Sequence, residues 1–312
     1  MALSWSFSAD RCFRRCQRQY YYREIAAWHN ARDAQRREAF VLKQLKTLEL
    51  WRGLLVHEGI ERHVVPRIQA GQVVDWDNAI AETIATAKQQ LAFSAAKRYR
   101  ANGVTKSGAG QAYCALLPHE RGEAIPQEAL EEVFDSIERC FRNLSAMDEL
   151  WAELENCGRI WAELPVRVNY EGAALEARLD LLFFHGRGKA TIIDWKAYES
   201  QAGSDAHLQT ALYGWSLCRH PKWPIHSAED VELLEVQLLG GEMIRHRSTQ
   251  GIFEKLEDRV YRSICELRAL CGEGVYDEQD LGDYAFASNP NNCQYCPFRP
   301  LCSGVEEWRL IG

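Results

Sequence analysis

Along the first half of the chain, apolar positions recur every three to four residues, the period of a helix packed on one face. Residues 8–30 carry this pattern, with Ser8 as a candidate N-cap and a Tyr20-Tyr21-Tyr22 cluster inside it. Residues 36–65 repeat it through Phe40, Leu42, Leu45, Leu48, Leu54 and Leu55, and residues 75–100 do so behind Asp75 or Asp77 as a cap. Residues 101–125 hold four glycines among Thr, Ser and Pro and read as a loop, of a length that is usually functional or disordered. A further helix is expected from Pro126 to Glu155, with the proline suited to its first turn.

The period then changes to two. Ile160–Tyr170 and Ala174–Phe184 alternate, and Ala190–Trp195 is a short apolar run, which predicts three strands. The turn His185-Gly186-Arg187-Gly188-Lys189 joins the last two as a hairpin. Asp205–Arg219 reads as a helix, Val231–Leu239 and Glu242–Arg247 as strands around Gly240-Gly241, and Thr249–Cys271 as a long helix. From Gly272 the chain is irregular. Helices, a strand-rich centre and then mixed elements predict an α/β core with a helical insertion before it. At 312 residues the chain can bury a sizeable core. It holds no apolar run of the ~18 residues a membrane helix needs. Its start, Met1-Ala2-Leu3-Ser4-Trp5-Ser6, lacks a basic segment followed by an apolar stretch, so the cytoplasm is the expected location.

The net charge of −7 does not suit a protein that coats nucleic acid through bulk positive charge. Two local basic patches stand against it: Arg11, Arg14, Arg15, Arg18 and Arg23, and Lys97, Arg98, Arg100 and Lys106. Taken alone, each reads as a solvated helix face.

The densest chemistry lies in the strand-rich centre. Asp180 ends Leu-Glu-Ala-Arg-Leu-Asp in an otherwise apolar strand, and Asp194 and Lys196 occupy alternate positions of Thr-Ile-Ile-Asp-Trp-Lys. Period two places the latter two side chains on one face, and hairpin pairing brings Asp180 beside them. Two carboxylates and an ammonium suit phosphodiester hydrolysis. Hard oxygens bind Mg²⁺ or Mn²⁺, the metal lowers the pKa of a bound water, and a lysine orients that water or offsets charge in the transition state. An Asp-x-Lys alone reads equally as a surface ion pair; Asp180 at hairpin distance is what adds weight. His57, inside a helix, is a candidate ligand whose softer nitrogen favours Mn²⁺. Gln209 and Tyr213, four apart on the next helix, share a face and can reach a phosphate or the metal shell. Glu163, in the preceding strand, can face the same site.

Eleven cysteines, an odd number in a chain expected to be cytoplasmic, argue against a disulfide framework. Six are scattered and read as small buried residues. The others are Cys12 and Cys16 on one helix face near the start, and Cys293-Gln-Tyr-Cys296-Pro-Phe-Arg-Pro-Leu-Cys302 near the end. Three close cysteines plus one distant partner fit an iron–sulfur cluster better than the paired knuckles of structural zinc. Either early cysteine can serve as the fourth.

Together these residues resemble the PD-(D/E)xK nuclease superfamily, and more narrowly its RecB-like iron–sulfur branch, which includes the AddB nuclease domain and CRISPR-associated iron–sulfur exonucleases. The resemblance runs nearly end to end and is carried by six motifs in the family's order. They are Phe7-Ser8 through Cys16 and Tyr20; Gly53 and His57; Asp180; Asp194 and Lys196; Gln209 and Tyr213; and Cys293, Cys296 and Cys302. It implies a restriction-endonuclease-like core, a mixed sheet flanked by helices, with a large helical insertion. The implied divisions are residues 1–65 with the cluster cysteine and histidine motif, 66–157 as the insertion, 158–272 as the nuclease core and 273–312 as the cluster tail. It selects Cys16 over Cys12 and implies a 4Fe–4S cluster on Cys16, Cys293, Cys296 and Cys302 that staples the two ends of the chain. It implies Mg²⁺ or Mn²⁺ on His57, Asp180, Asp194 and the Trp195 carbonyl, water activation by Lys196, and support from Gln209 and Tyr213.

The activity so implied is a DNA nuclease, an exonuclease on DNA ends or single strands. With no helicase motif in the chain, unwinding would require a helicase or another genome-maintenance or defence partner. Two departures stand out: Gln17, where the family often has proline, and a stretch between His57 and Glu163 longer than in compact members. Two other readings are a non-catalytic DNA-end-binding or assembly subunit that keeps the fold, and a zinc protein with an unrelated hydrolase site. The complete acidic–lysine set speaks against the former.

Overall fold

The structure, a computed structural model, describes residues 3–155, 157–185, 189–197 and 204–302, with the backbone alone for 204–206. The expected turn at 186–188 and the tail beyond Cys302 lie outside the described residues.

Strand β1 (Ser4–Trp5) leads into α1 (Phe7–Arg15), which is capped by Ser6, not Ser8. The helix expected over 8–30 breaks at Cys16. That residue is extended (φ −166°, ψ 113°), and its sulfur accepts the Gln19 N–H that opens α2 (Gln17–Tyr20), after which a π-helical turn covers Tyr21–Ala26. The pattern over 36–65 also splits. Helix α3 (Ala34–Leu42) stops before Thr47, whose side chain caps α4 (Leu48–Gly59); a π turn at Ile60–Val64 then joins α4 to α5 (Val65–Gln69). In both places a side-chain cap competes with helix continuation, which apolar periodicity does not register.

Helix α6 (Trp76–Ala95) is capped by Asp75. The expected loop at 101–125 contains two short helices, α7 (Lys106–Ala109) and α8 (Leu117–Arg121). Then come α9 (Gln127–Ser145), with Pro126 at its cap and not in its first turn, and α10 (Asp148–Glu155). Helices α4, α6 and α9 pack around Trp51, Val56, Ile137 and Phe141. Their close approach depends on Gly59, where a Cβ would lie 2.5 Å from Thr83 Oγ1 and 2.7 Å from the Phe141 ring. Gly53, the glycine of the histidine motif on the same helix, has open space around it.

The remaining elements are β2 (Ile160–Tyr170), β3 (Ala173–His185), β4 (Lys189–Lys196), α11 (Ser204–Arg219), β5 (Val231–Gln237), β6 (Glu242–Arg247), α12 (Gln250–Cys271) and α13 (Asn291–Gln294). They form a mixed six-stranded sheet flanked by helices, as the α/β reading expects. β3 is its axis. One edge of β3 pairs antiparallel with β2 along almost its whole length. The other edge is shared, with Ala174 and Leu175 pairing parallel to β1 while Leu181–His185 pair antiparallel to β4. Between those two partners this second edge of β3 has, among the described residues, no strand neighbour through residues 176–180. One sheet face is covered by α11 and α12 over Leu175, Ile192 and Leu233, the other by α4 and α9 over Leu181, Ile193 and Val236.

Both ends of the chain meet beside the sheet. Arg18 donates from its backbone N–H to the Ala285 carbonyl (3.2 Å) and from Nε to the Tyr284 carbonyl (3.0 Å). Gln17 accepts the Ala285 N–H at 2.9 Å, a bond that the family's usual proline cannot make. Tyr22 stacks on Phe298 and donates to the Leu301 carbonyl at 2.6 Å.

The two glycines of α4 make a paired test. Gly59→Ala is expected to destabilise the protein by about 1–3 kcal/mol through overpacking, whereas Gly53→Ala should stabilise it by about 0.5–1 kcal/mol through helix propensity. Urea unfolding of both variants reads the signs, and equal effects would overturn this account of the packing.

Candidate active site

The stretch of β3 without a neighbour on that edge opens a notch, and the site sits in it. Pairing between β3 and β4 ends at Leu181 and Ile193, one residue short of Asp180 and Asp194. Trp195 carries its backbone N–H and carbonyl toward this gap, because the flanking Lys196 carbonyl already faces β5, where it accepts the Leu238 N–H at 2.8 Å. The Trp195 N–H donates to Asp180 Oδ2 at 2.7 Å, and its carbonyl lies 3.0 Å from His57 Nε2. The other ring nitrogen of His57 is 3.6 Å from Asp180 Oδ1. Helix α4 thus delivers His57 from one side of the sheet to an edge where two strands have parted.

Asp194 and Lys196 are both buried and form an ion pair. Tyr213 donates to Asp194 Oδ1 at 3.3 Å, and Gln209 donates to Tyr213 Oη at 3.2 Å. All the residues predicted from the centre of the chain therefore converge: His57, Asp180, Asp194, the Trp195 carbonyl, Lys196, Gln209 and Tyr213.

Glu163 joins them more firmly than its sequence context indicates. It stands opposite Asp180 in the β2–β3 register, where the ladder is interrupted, and has φ +47°, a left-handed conformation rare for glutamate. Ligand atoms of His57, Glu163 and Asp180 lie within 4.8 Å of one another. Glu235 and Gln237 were not anticipated. They lie on β5 directly beside Asp194 and Lys196, hydrogen-bonded to each other, with Glu235 also 3.0 Å from His246 Nε2. The available signal was a carboxylate interrupting the apolar run of β5, the same signal that marks Asp180 in β3.

The electrostatics are those of a cation site. Burial pushes the Asp194 carboxyl up to about 6 against the pull of Lys196. Burial lowers the His57 pKa, but Asp180, Asp194 and Glu163 more than offset this and raise it above the ordinary value. Burial and then Asp180 raise the Glu163 carboxyl. Several carboxylates crowd one partly dry volume, with one buried ammonium to balance them. Hard oxygen donors with a single imidazole fit Mg²⁺ or Mn²⁺.

The family model of the PD-(D/E)XK nuclease superfamily matches residues 4–303. The chain belongs to this superfamily. The sheet and its flanking helices are thus those of a PD-(D/E)XK protein. A search of the curated proteins finds no match. Among solved structures, the crystal structure of SSO0001 is similar at 14% identity over 56% of this chain and 75% of that one, with a TM-score of 0.30, too distant to bear on fold or function.

A second set of predicted residues also converges. Cys16, Cys293, Cys296 and Cys302 line one small cavity, roofed by Tyr22 and Phe298. Cys12 lies instead in the apolar core. No three cysteine sulfurs among the described residues come within 4.8 Å of one another. Burial raises the Cys296 thiol to about 12, with the three other cysteines adding to it.

A divalent metal held by Asp194 and His57 would require both in their deprotonated forms. The raised folded-state pKa of Asp194 also means that its contribution to stability is present at low pH and lost as pH rises through about 6. Mn²⁺ is therefore expected to release more protons at about pH 5.5 than at about pH 8, and to bind more tightly at the higher pH. Calorimetry in two buffers of different ionisation enthalpy reads this directly; an equal proton count at both pH values would overturn the assignment.

Proposed function

We propose that this PD-(D/E)XK protein is a Mg²⁺- or Mn²⁺-dependent deoxyribonuclease. The observation that carries the reading is the convergence of His57, Asp180, Asp194 and the Trp195 carbonyl in one notch, with Lys196 buried against Asp194. These four groups would hold the metal, with Glu163 as a further carboxylate; the ligand atoms of His57, Glu163 and Asp180 lie within 4.8 Å of one another. A metal held there would supply Lewis acidity and lower the pKa of a bound water. Lys196 directs its ammonium at the attacking water and the developing phosphorane charge. Tyr213 fixes the rotamer of Asp194, and Gln209 fixes Tyr213.

The finer reading is an exonuclease on DNA ends or single strands, with a 4Fe–4S cluster on Cys16, Cys293, Cys296 and Cys302. It rests on the resemblance to the RecB-like iron–sulfur branch. The shared cavity of the four cysteines supports a common metal group there, and the spacing Cys-x2-Cys-x5-Cys with one distant partner supports an iron–sulfur cluster. A helicase partner belongs to the same resemblance.

End-labelled single- and double-stranded DNA incubated with Mn²⁺ is expected to be degraded by the parent. Asp194→Ala and Lys196→Ala should each slow cleavage by about 10²–10³-fold while melting as folded proteins. Cleavage by Lys196→Ala at the parent rate would sink the catalytic assignment. The anaerobically purified protein should contain iron and labile sulfide; zinc in their place would sink the cluster.

A further inference from the structure

A groove of about 480 Å³ leads away from the site between the start of α1 and the β2–β3 pair. It shares Gln209 and Tyr213 with the active site, and Tyr213 touches Asp194 at 3.3 Å, so the groove borders the notch through these two side chains. Three arginines line it: Arg11 on α1, Arg167 on β2 and Arg178 on β3, two residues before Asp180. On the groove wall Glu176 opposes them, 3.4 Å from Arg167 across a pair that is more than half exposed on both sides and so weakly held. At the site end Arg178, itself two-thirds exposed, lies 3.6 Å from Glu163.

This concentration of positive charge is unusual in a chain of net charge −7. The other predicted basic residues are largely occupied. Arg14 pairs with Asp10, Arg18 with the Tyr284 carbonyl and Phe286, and Arg100 with Glu38 and Glu120. Arg11 is exposed and has no ion pair among the described residues. Ser6 and Ser8 place hydroxyls on the same wall, where α1 begins. A volume of this size is that of a small-ligand site and suits one unstacked strand.

We propose that this groove is the path of a single nucleic-acid strand, its phosphates carried by Arg11, Arg167 and Arg178 to the metal centre. The proposal rests on the nuclease reading for its chemistry, but not for its binding test.

The experiment measures binding of a labelled oligothymidylate by anisotropy across a salt series, with Ca²⁺ in place of Mn²⁺. Turnover of the p-nitrophenyl ester of thymidine monophosphate with Mn²⁺ is followed in parallel. Arg11→Gln combined with Arg167→Gln should weaken oligothymidylate binding about ten-fold and make the log–log salt slope shallower by about 1.4, two phosphate contacts at roughly 0.7 each. Ester turnover, which needs no strand path, should stay at the parent rate. Arg11→Lys with Arg167→Lys should restore the slope. Unchanged affinity and slope in the glutamine variant would overturn the proposal, as would an equal loss of binding to a blunt duplex. If the parent turned over neither ester nor oligonucleotide, the nuclease reading would fail, while affinity and slope would still decide the groove.

Discussion

The hydrogen bond from the Trp195 N–H to Asp180 spans a place where a β-ladder has ended. A backbone donor and acceptor left at such an edge must find partners or incur a desolvation cost of about 1–3 kcal/mol each. Here the donor is satisfied by a carboxylate and the acceptor by an imidazole. The same two contacts that complete the sheet edge orient Asp180 and His57, so structural satisfaction and ligand placement are one requirement. That is possible because β1 takes the far part of the β3 edge, holding β3 in the sheet while it parts from β4.

The second constraint is closure of the chain ends. The extended break at Cys16 turns a sulfur toward the tail, and the residues around it bind the tail without any metal: Gln17 and Arg18 to Ala285 and Tyr284, Tyr22 to Leu301 and Phe298. These bonds carry part of the stapling that the cysteines alone were expected to supply. α1 is fixed in turn by Asp10, fully buried, which accepts from Ser263 at 2.6 Å and from Arg259 at 3.2 Å on α12. Charge-assisted bonds of this kind in a dry setting are among the stronger ones available. They seat the N-terminal segment against the last long helix, and with it the wall of the groove that carries Arg11.

The sheet strands were legible in the sequence because their alternation is a direct record of two faces. Ile160–Tyr170 and Glu242–Arg247 fall as expected, and Val231 begins its strand where the pattern places it. The long helices were legible as apolar stripes but not in their interruptions at Cys16, Lys43–Thr47 and Ala146–Met147. Those depend on single caps and turns that a stripe of periodic residues does not encode. β1, two residues long, has no periodicity to read. In the site, Asp180, Asp194 and Lys196 stood out as charges in apolar strands. Glu163 was legible only as a residue able to face the site, because its placement depends on a left-handed backbone and an interrupted register visible only once β2 and β3 are paired. Glu235 obeyed the same rule as Asp180 and passed unnoticed, since nothing in β5 alone says which strand lies beside it.

Burying Asp194 and Lys196 together is a poor way to gain stability. The desolvation of two charges commonly exceeds their attraction, and apolar replacements of similar volume are often neutral or stabilising. The pair is nevertheless among the least exposed polar groups of the chain, with Glu235, Gln237 and Tyr213 arranged around it. A packed arrangement that does not favour stability favours an interaction the apoprotein lacks. A divalent cation among His57, Glu163, Asp180 and Asp194 would offset the carboxylate excess and relieve the lysine of part of its role as counter-charge. The net negative charge of the chain and its proposed polyanionic substrate are reconciled at the same point. A cation there, together with three arginines along one groove, would provide locally the field that the protein as a whole does not have.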